Sequence, residues 1–162
     1  MNLFLHIVGR RADGYHELQT LFQFLDYGDD LYFAPRGDGV IRRVEGAEEI
    51  PPSEDIVVRA AGALAQAAGV QLGADIRVHK RIAIGAGLGG GSSNAATTLV
   101  ALNRIWNLGF TPDELAAVGL RLGADVPVFV RGRASWGEGI GDRLSPVELP
   151  EPWFLVRLRS PK

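Results

Sequence analysis

Five glycines fall between residues 85 and 91, in the run Gly85-Ala86-Gly87-Leu88-Gly89-Gly90-Gly91. Ser92-Ser93-Asn94 follows at once, and then the helix-like stretch Ala95-Ala96-Thr97-Thr98-Leu99-Val100. This run restricts the possible folds more than any other segment. Glycine lacks a Cβ, so it tolerates positive φ and lets main-chain N–H groups come close to a ligand. The start of the helix behind it adds unpaired amides and the positive end of a dipole. A strand stands before it, since Ile76 and Val78 alternate with polar neighbours between Asp75 and Lys80. Strand, glycine turn and helix start together make an anion pocket, most naturally one for phosphate. A flexible linker is the bland alternative, but linkers rarely carry a strand and an alanine-rich helix as flanks.

The rest of the chain reads as strands first and helices later. Asn2 to Val8 is apolar and β-prone, Gly9 to Gly14 is a turn, and Tyr15 to Leu25 reads as a second strand. Leu31 to Ala34 and Val40 to Val44 are short strands around the turn Pro35 to Gly39. After Pro51-Pro52, Ser53 is placed to cap a helix with Glu54 and Asp55 in its first turn. Ile56, Ala60, Leu64 and Ala67 give that helix an apolar stripe, and Gly69 ends it. The helix after the glycines spans about Ser92 to Asn107. Thr111-Pro112-Asp113-Glu114 is a capping box with proline at the first helical position, opening a helix to about Leu122. Val126 to Val130 is apolar, and further strands are expected near Ala134 to Glu138 and Phe154 to Leu158. The fold class is therefore α+β, without regular βαβ alternation.

Composition narrows the function classes. A chain of 162 residues suits one domain with a real core. A net charge of −2 gives no basic field for nucleic acid. The absence of cysteine excludes disulfides and thiolate chemistry and is compatible with a reducing cytosol. No apolar run has the length of a membrane span, and no signal-peptide pattern opens the chain, so a cytoplasmic location is expected.

Three phosphate-binding patterns compete for the glycines. A P-loop requires lysine after its last glycine, and none follows here. Gly85-Ala86-Gly87-Leu88-Gly89-Gly90 fits the dinucleotide pattern, but the acidic residue at the required distance, Asp113, lies in a helix cap instead of at a strand end. The third pattern is a longer loop with paired serines, used by kinases that have no P-loop.

In this third form the run resembles the central motif of the GHMP kinases, named for galactokinase, homoserine, mevalonate and phosphomevalonate kinases. Matching segments extend almost end to end: Asn2 to Leu5, Arg11 to His16, Leu18 to Gln23, Val58 to Ala61, Gly87 to Ala96 and Leu122 to Phe129. Within the superfamily they are similar to the branch whose acceptor is a cytidylyl methylerythritol of non-mevalonate isoprenoid biosynthesis. The resemblance implies a domain like the second domain of ribosomal protein S5, a mixed sheet packed against helices. It also implies transfer of the γ-phosphoryl group of ATP, with Mg²⁺, to the C2 hydroxyl of that small molecule. Nucleic acid and membranes are not expected partners.

Residue by residue, the family's ATP loop corresponds to Ala83, Ile84, Gly85, Ala86, Gly87, Leu88, Gly89, Gly90, Gly91, Ser92 and Ser93. Ser92 and Ser93 either contact phosphate oxygens or Mg²⁺, or cap the helix. Asp125 corresponds to the catalytic aspartate, Lys80 to a residue near the nucleotide base, and Tyr15, His16 and Asn2 to acceptor contacts. Without the resemblance, Asp125 reads as a loop aspartate, Tyr15-His16 as a strand start and Lys80 as a solvated strand end. His6 and His79 read as structural. Asp55 stands where many relatives have an asparagine near adenine, and a carboxylate cannot donate that amide's hydrogen bond. Metal ligands cannot be read from the pattern.

Two departures bear on activity. Met1 occupies the position of the family's catalytic lysine, and residues 1–162 correspond to the family's N-terminal, ATP-binding domain without its second domain. A polypeptide of residues 1–162 alone is expected to turn over weakly or not at all. The alternatives are an impaired nucleotide-binding module, or a GHMP kinase for another small alcohol. Self-association through apolar edges at Leu3-Phe4-Leu5 or Phe154-Leu155-Val156 is also expected.

Overall fold

The computed structural model describes residues 1–12, 14, 16–46 and 48–150. Among the described residues, seven strands and four helices follow one another as β1 (Asn2–Arg10), β2 (His16–Phe22), β3 (Asp30–Arg36), β4 (Ile41–Glu45), α1 (Ile56–Ala68), β5 (Gly73–His79), α2 (Gly90–Ile105), α3 (Pro112–Leu120), α4 (Val126–Arg131), β6 (Ser135–Glu138) and β7 (Arg143–Pro146).

The strands form two sheets. One is antiparallel, in the order β1-β2-β6-β7. The other has the order β3-β5-β4, with β5 antiparallel to β3 and parallel to β4. A parallel neighbour needs a crossover, and α1 supplies it between β4 and β5. The expected mixed sheet is thus the smaller, three-stranded one. Its inner residues Ala74, Ile76 and Val78 meet Val57, Ala60, Ala61 and Leu64 of α1 and Leu99 and Leu102 of α2 in one core. Val126 of α4 and Leu115 and Val118 of α3 close that core from the other side of α2. At β1, the edge of the antiparallel sheet, Leu5, Ile7 and Val8 are exposed.

Several expectations shift in detail, each for a local reason. Asp55, not Ser53, caps α1: its side chain accepts the Val57 N–H, and no acidic residue enters the first turn. The buried stripe of α1 runs through Val57, Ala60, Ala61, Leu64 and Ala65, while Ala67 is exposed. Gly69 ends α1 at φ 66°, as its position implied. Helix α2 begins at Gly90, because Gly89 adopts φ 71° and turns the chain there, so neither serine caps it. The Thr111 capping box is present in full, but α3 stops at Leu120. The apolar run after Asp125 is a short helix, α4, with Pro127 in its first turn and Gly132 closing it at φ 65°. Strand β7 had no clear sequence signal, and the strand expected at Phe154 to Leu158 lies outside the described residues.

Candidate active site

The glycine turn lies between β5 and α2 and walls a cavity of about 300 Å³. Ala83 through Ser92 line it, with Lys80, Asp55 and Asn94 around its margin. Within the turn only one main-chain bond forms, Ala86 N–H to the Ala83 carbonyl at 3.2 Å. Helix α2 makes its first intrahelical bond from Ser93 N–H to Gly89 at 2.9 Å. The amides of Gly90, Gly91 and Ser92 precede it and have no helical acceptor. Gly85 and Gly87 hold φ of 72° and 71°, and a Cβ on either would meet nothing within 4 Å. No acidic residue interrupts Ala83 to Ser93. Free donors, open space and the N-terminus of a sixteen-residue helix converge on one anion-sized hollow.

The packed end of the turn faces α4. A Cβ on Gly89 would approach the Phe129 ring at 2.9 Å, and one on Gly90 would approach Ile82 at 3.0 Å. These contacts seat the first turn of α2 beside the Gly123-Ala124-Asp125 turn. A Cβ on Gly123 would lie 3.9 Å from the Ser92 hydroxyl. The turn that carries Asp125 therefore packs against the first turn of α2. Asp125 stands at the N-terminus of α4, with no side-chain cap bond. Burial pushes its carboxyl above the ordinary 3.8, and the Met1 ammonium pulls it part of the way back. A second hollow of about 490 Å³ runs against Gly123 and Ala124 and is lined also by Arg11 and Asp142.

The remaining expected site residues divide. Asn2 sits at the near end of β1, where its amide donates to the Thr20 hydroxyl at 2.8 Å. His16 is exposed at the far end of β2, opposite Arg10, while Asn2 pairs with Phe22. Six residues of strand separate those two ends, roughly 20 Å at about 3.3 Å per residue. Tyr15 lies outside the described residues. Lys80 is not a solvated strand end: its ammonium pairs with Asp29, and it lines the cavity. Asp55 is fully committed, with Oδ1 on the Val57 amide and Oδ2 on Arg43. That pairing accounts for a carboxylate in a wall where an amide was the family expectation. His79 meets Asp30 at 3.4 Å, and the His6 ring packs 5.0 Å from Phe4.

Sequence reasoning missed two residues at this site, Asp29 and Asn94. The fully buried Asp29 carboxylate accepts from Arg81 N–H at 2.7 Å, Ile82 N–H at 2.8 Å and Asn94 Nδ2 at 2.9 Å, besides Lys80. Burial opposes its ionisation, but the bonds from Lys80, Ile82, Arg81 and Asn94 prevail and hold the carboxyl below 3.8. In the sequence it is one aspartate among several in the Asp26 to Asp30 turn, and nothing local marks its partners.

Residues 55–133 match the family model described as the GHMP kinases N terminal domain. The chain thus carries a domain of the GHMP kinase N-terminal type. Over 156 residues it is 60% identical to the 4-diphosphocytidyl-2-C-methyl-D-erythritol kinase of Pseudomonas paraeruginosa, covering 96% of this chain and 55% of that protein. The enzyme of the same name from Alkalilimnicola ehrlichii is 62% identical over 156 residues, covering 96% and 54%. A crystal structure of 4-(cytidine 5'-diphospho)-2C-methyl-D-erythritol kinase superposes with a TM-score of 0.79 at 42% identity, covering 92% of this chain and 53% of that one. Homoserine kinase from Cytophaga hutchinsonii shares the fold, with a TM-score of 0.65 at 17% identity, covering 84% and 46%. The chain thus spans about half the length of the curated relatives it matches.

Proposed function

We propose that these residues form the ATP-binding half of a kinase that phosphorylates the C2 hydroxyl of 4-diphosphocytidyl-2-C-methyl-D-erythritol, a step toward isoprenoids outside the mevalonate route. One observation carries the reading: unpartnered amides at the start of α2 converge beside the Asp125 turn. Phosphoryl transfer passes through a loose transition state, so placement and charge neutralisation supply most of the rate.

In this mechanism the amides from Gly85 to Ser92 hold the β- and γ-phosphate oxygens, and the helix dipole favours their charge. Ser92 and Ser93, released from capping, offer hydroxyls to those oxygens or to Mg²⁺. Among the described residues no group of three or more His, Cys, Asp or Glu side chains is placed to hold a metal. Mg²⁺ would then rest mainly on phosphate oxygens, as it commonly does, and would neutralise their charge when bound. Asp125 accepts the proton of the C2 hydroxyl as that oxygen bonds to the γ-phosphorus and the bond to the β-phosphate oxygen breaks. A carboxyl raised by burial is a better proton acceptor than a solvated one.

Lys80 borders the region assigned to the nucleotide base, and Asn2, Tyr15 and His16 take the acceptor. The length of the β1–β2 hairpin suits an elongated acceptor, with its alcohol near Asp125 and its cytosine near His16. Such a substrate is water-soluble, and no described helix is long and apolar enough to cross a membrane; we assign the reaction to the cytoplasm, with neither nucleic acid nor membrane as partner. Copies of residues 1–162 meeting through the exposed β1 edge would sediment progressively faster as concentration rises.

The deciding experiment offers the native gene product γ-labelled ATP with the cytidylyl alcohol, mevalonate or homoserine in turn. Label should pass to the cytidylyl alcohol. Transfer to mevalonate or homoserine alone would overturn the substrate assignment, and no transfer with undetectable ATP binding would overturn the kinase reading.

A further inference from the structure

The glycine loop cannot fix its own width. Between Ile82 and Gly89 it has a single internal bond, Ala86 to Ala83, and a Cβ on Gly85 or Gly87 would meet nothing within 4 Å. Its two ends are instead tied to one side chain outside it. Asp29 lies in the connection between β2 and β3, and its Oδ1 takes the Arg81 and Ile82 amides at the strand end of the loop. Its Oδ2 takes Asn94 Nδ2 in the first turns of α2, together with the Lys80 ammonium.

Neighbouring residues of the same connection reinforce this grip. The Tyr27 hydroxyl donates to the Arg81 carbonyl at 2.7 Å, and the Arg81 guanidinium lies 5.0 Å over the Tyr27 ring. Phe24 meets Phe129 edge-on at 5.3 Å, on the ring against which Gly89 is seated. Residues 24–29 therefore hold the loop at its entry, at its exit, and through the ring beneath it.

We propose that Asp29 is a positioning residue for the phosphate-binding loop: it fixes the gap between the end of β5 and the start of α2, and parks the Lys80 ammonium at the cavity margin. The proposal rests on the nucleotide reading above. A carboxylate is required because four donors arrive and none leaves. Asparagine has nearly the same shape, but its NH₂ would confront the Lys80 ammonium and the Asn94 amide, donor against donor. The consequence should fall on ATP affinity, and proton transfer at Asp125 should be spared.

The test measures ATP dissociation constants and steady-state kinetics for the native gene product and its D29N variant. Losing bonds to a charged acceptor should weaken ATP roughly tenfold to a hundredfold. The KM for the alcohol, and kcat at saturating ATP, should hold. General loosening of the domain would not produce that split. Measured within a K80M background, the D29N penalty should shrink, since the donor conflict with Lys80 is already gone. Y27F removes only the bond to Arg81 and serves where D29N fails to fold; it should raise the KM for ATP alone. Wild-type protein that binds ATP beside a D29N variant binding equally well would overturn this inference and leave the kinase reading intact. Unfolded D29N together with a Y27F variant of unchanged ATP affinity would overturn it too. Wild-type protein that binds no ATP would overturn the reading beneath it.

Discussion

Asp29 binds both ends of the glycine loop and Asp125 stands in the turn packed against the start of α2; burial acts on both carboxyls in the same direction, yet they end in opposite states. Asp29 receives two amides, an asparagine and an ammonium, and is held below its ordinary value despite complete burial. Asp125 receives no hydrogen bond from the described residues, and burial carries it upward against the pull of the Met1 ammonium. Burial alone therefore does not decide what a carboxylate is for; the donors around it do. A saturated carboxylate has no lone pair to spare and serves as an anchor. An unsaturated one keeps its lone pairs for a proton that arrives with the substrate.

The largest expected effect tests the unsaturated partner. D125N in the native gene product should lower kcat by roughly 10²- to 10⁴-fold, the usual worth of a positioned general base. ATP affinity should be unchanged, because the loop amides do not depend on that carboxylate. A D125N enzyme with near-normal turnover would erase the distinction between the two residues.

Asp55 extends the comparison as a third carboxylate, almost buried and with each oxygen bonded once, Oδ1 to the Val57 amide and Oδ2 to Arg43. Arg43 pairs with it and also donates to the carbonyls of Ile50 and Gly46. R43M should cost about 3–5 kcal/mol in chemical denaturation, since it strands a buried charge. A loss under 1 kcal/mol would mean that water reaches Asp55 and that the cavity wall is looser than its packing shows.

The pH dependence of stability should separate the anchor from the base by sign. Asp29 is lowered, so its stabilisation is present above the unfolded value of 3.8 and is lost as pH falls through the folded value. Asp125 is raised, so ionising it costs stability, a cost absent in acid and growing as pH rises from 3.8 through the folded value. In melts across this range, D125N should gain on wild type toward neutral pH and match it in acid. D29N should show the opposite trend, trailing wild type at neutral pH and closing the gap in acid. Parallel curves for the two variants would contradict the assignment.

How much of this was legible in the sequence follows from how local each signal is. The Thr111 box, the Gly69 stop and the alternation through Ile76 and Val78 are set by near neighbours, and the structure contains all three. The glycine run announced its own geometry for the same reason. Ser92 and Ser93 looked like caps only because the αL turn at Gly89 cannot be told from other glycine conformations by sequence. Asp55 reads as a first-turn residue in the sequence because its partner, Arg43, arrives from β4. Asp29 was hidden altogether, for its four donors come from residues 80–94 and only the tertiary fold assembles them. The family resemblance pairs Asp125 with the loop, whereas the packing of the Gly123 turn on α2, with Phe129 under Gly89, needed coordinates.

The smallest expected effect probes the loop between the two carboxylates. Gly91 lies in the first turn of α2, exposed, with no positive φ and with nothing within 4 Å of a Cβ. The fold gains nothing from glycine there, and alanine should stabilise the helix by about 0.5–1 kcal/mol. Gly89 is a sharp contrast, since a methyl there would meet both φ 71° and the Phe129 ring at 2.9 Å. If the Gly91 amide faces phosphate, the methyl of G91A crowds the approach, so the variant should melt higher and bind ATP more weakly. G89A should lose on both counts. A G91A protein that melts higher with ATP affinity intact would restrict the phosphate contact to the part of the turn nearer the end of β5, and would leave the α2 side of the loop open for the acceptor alone.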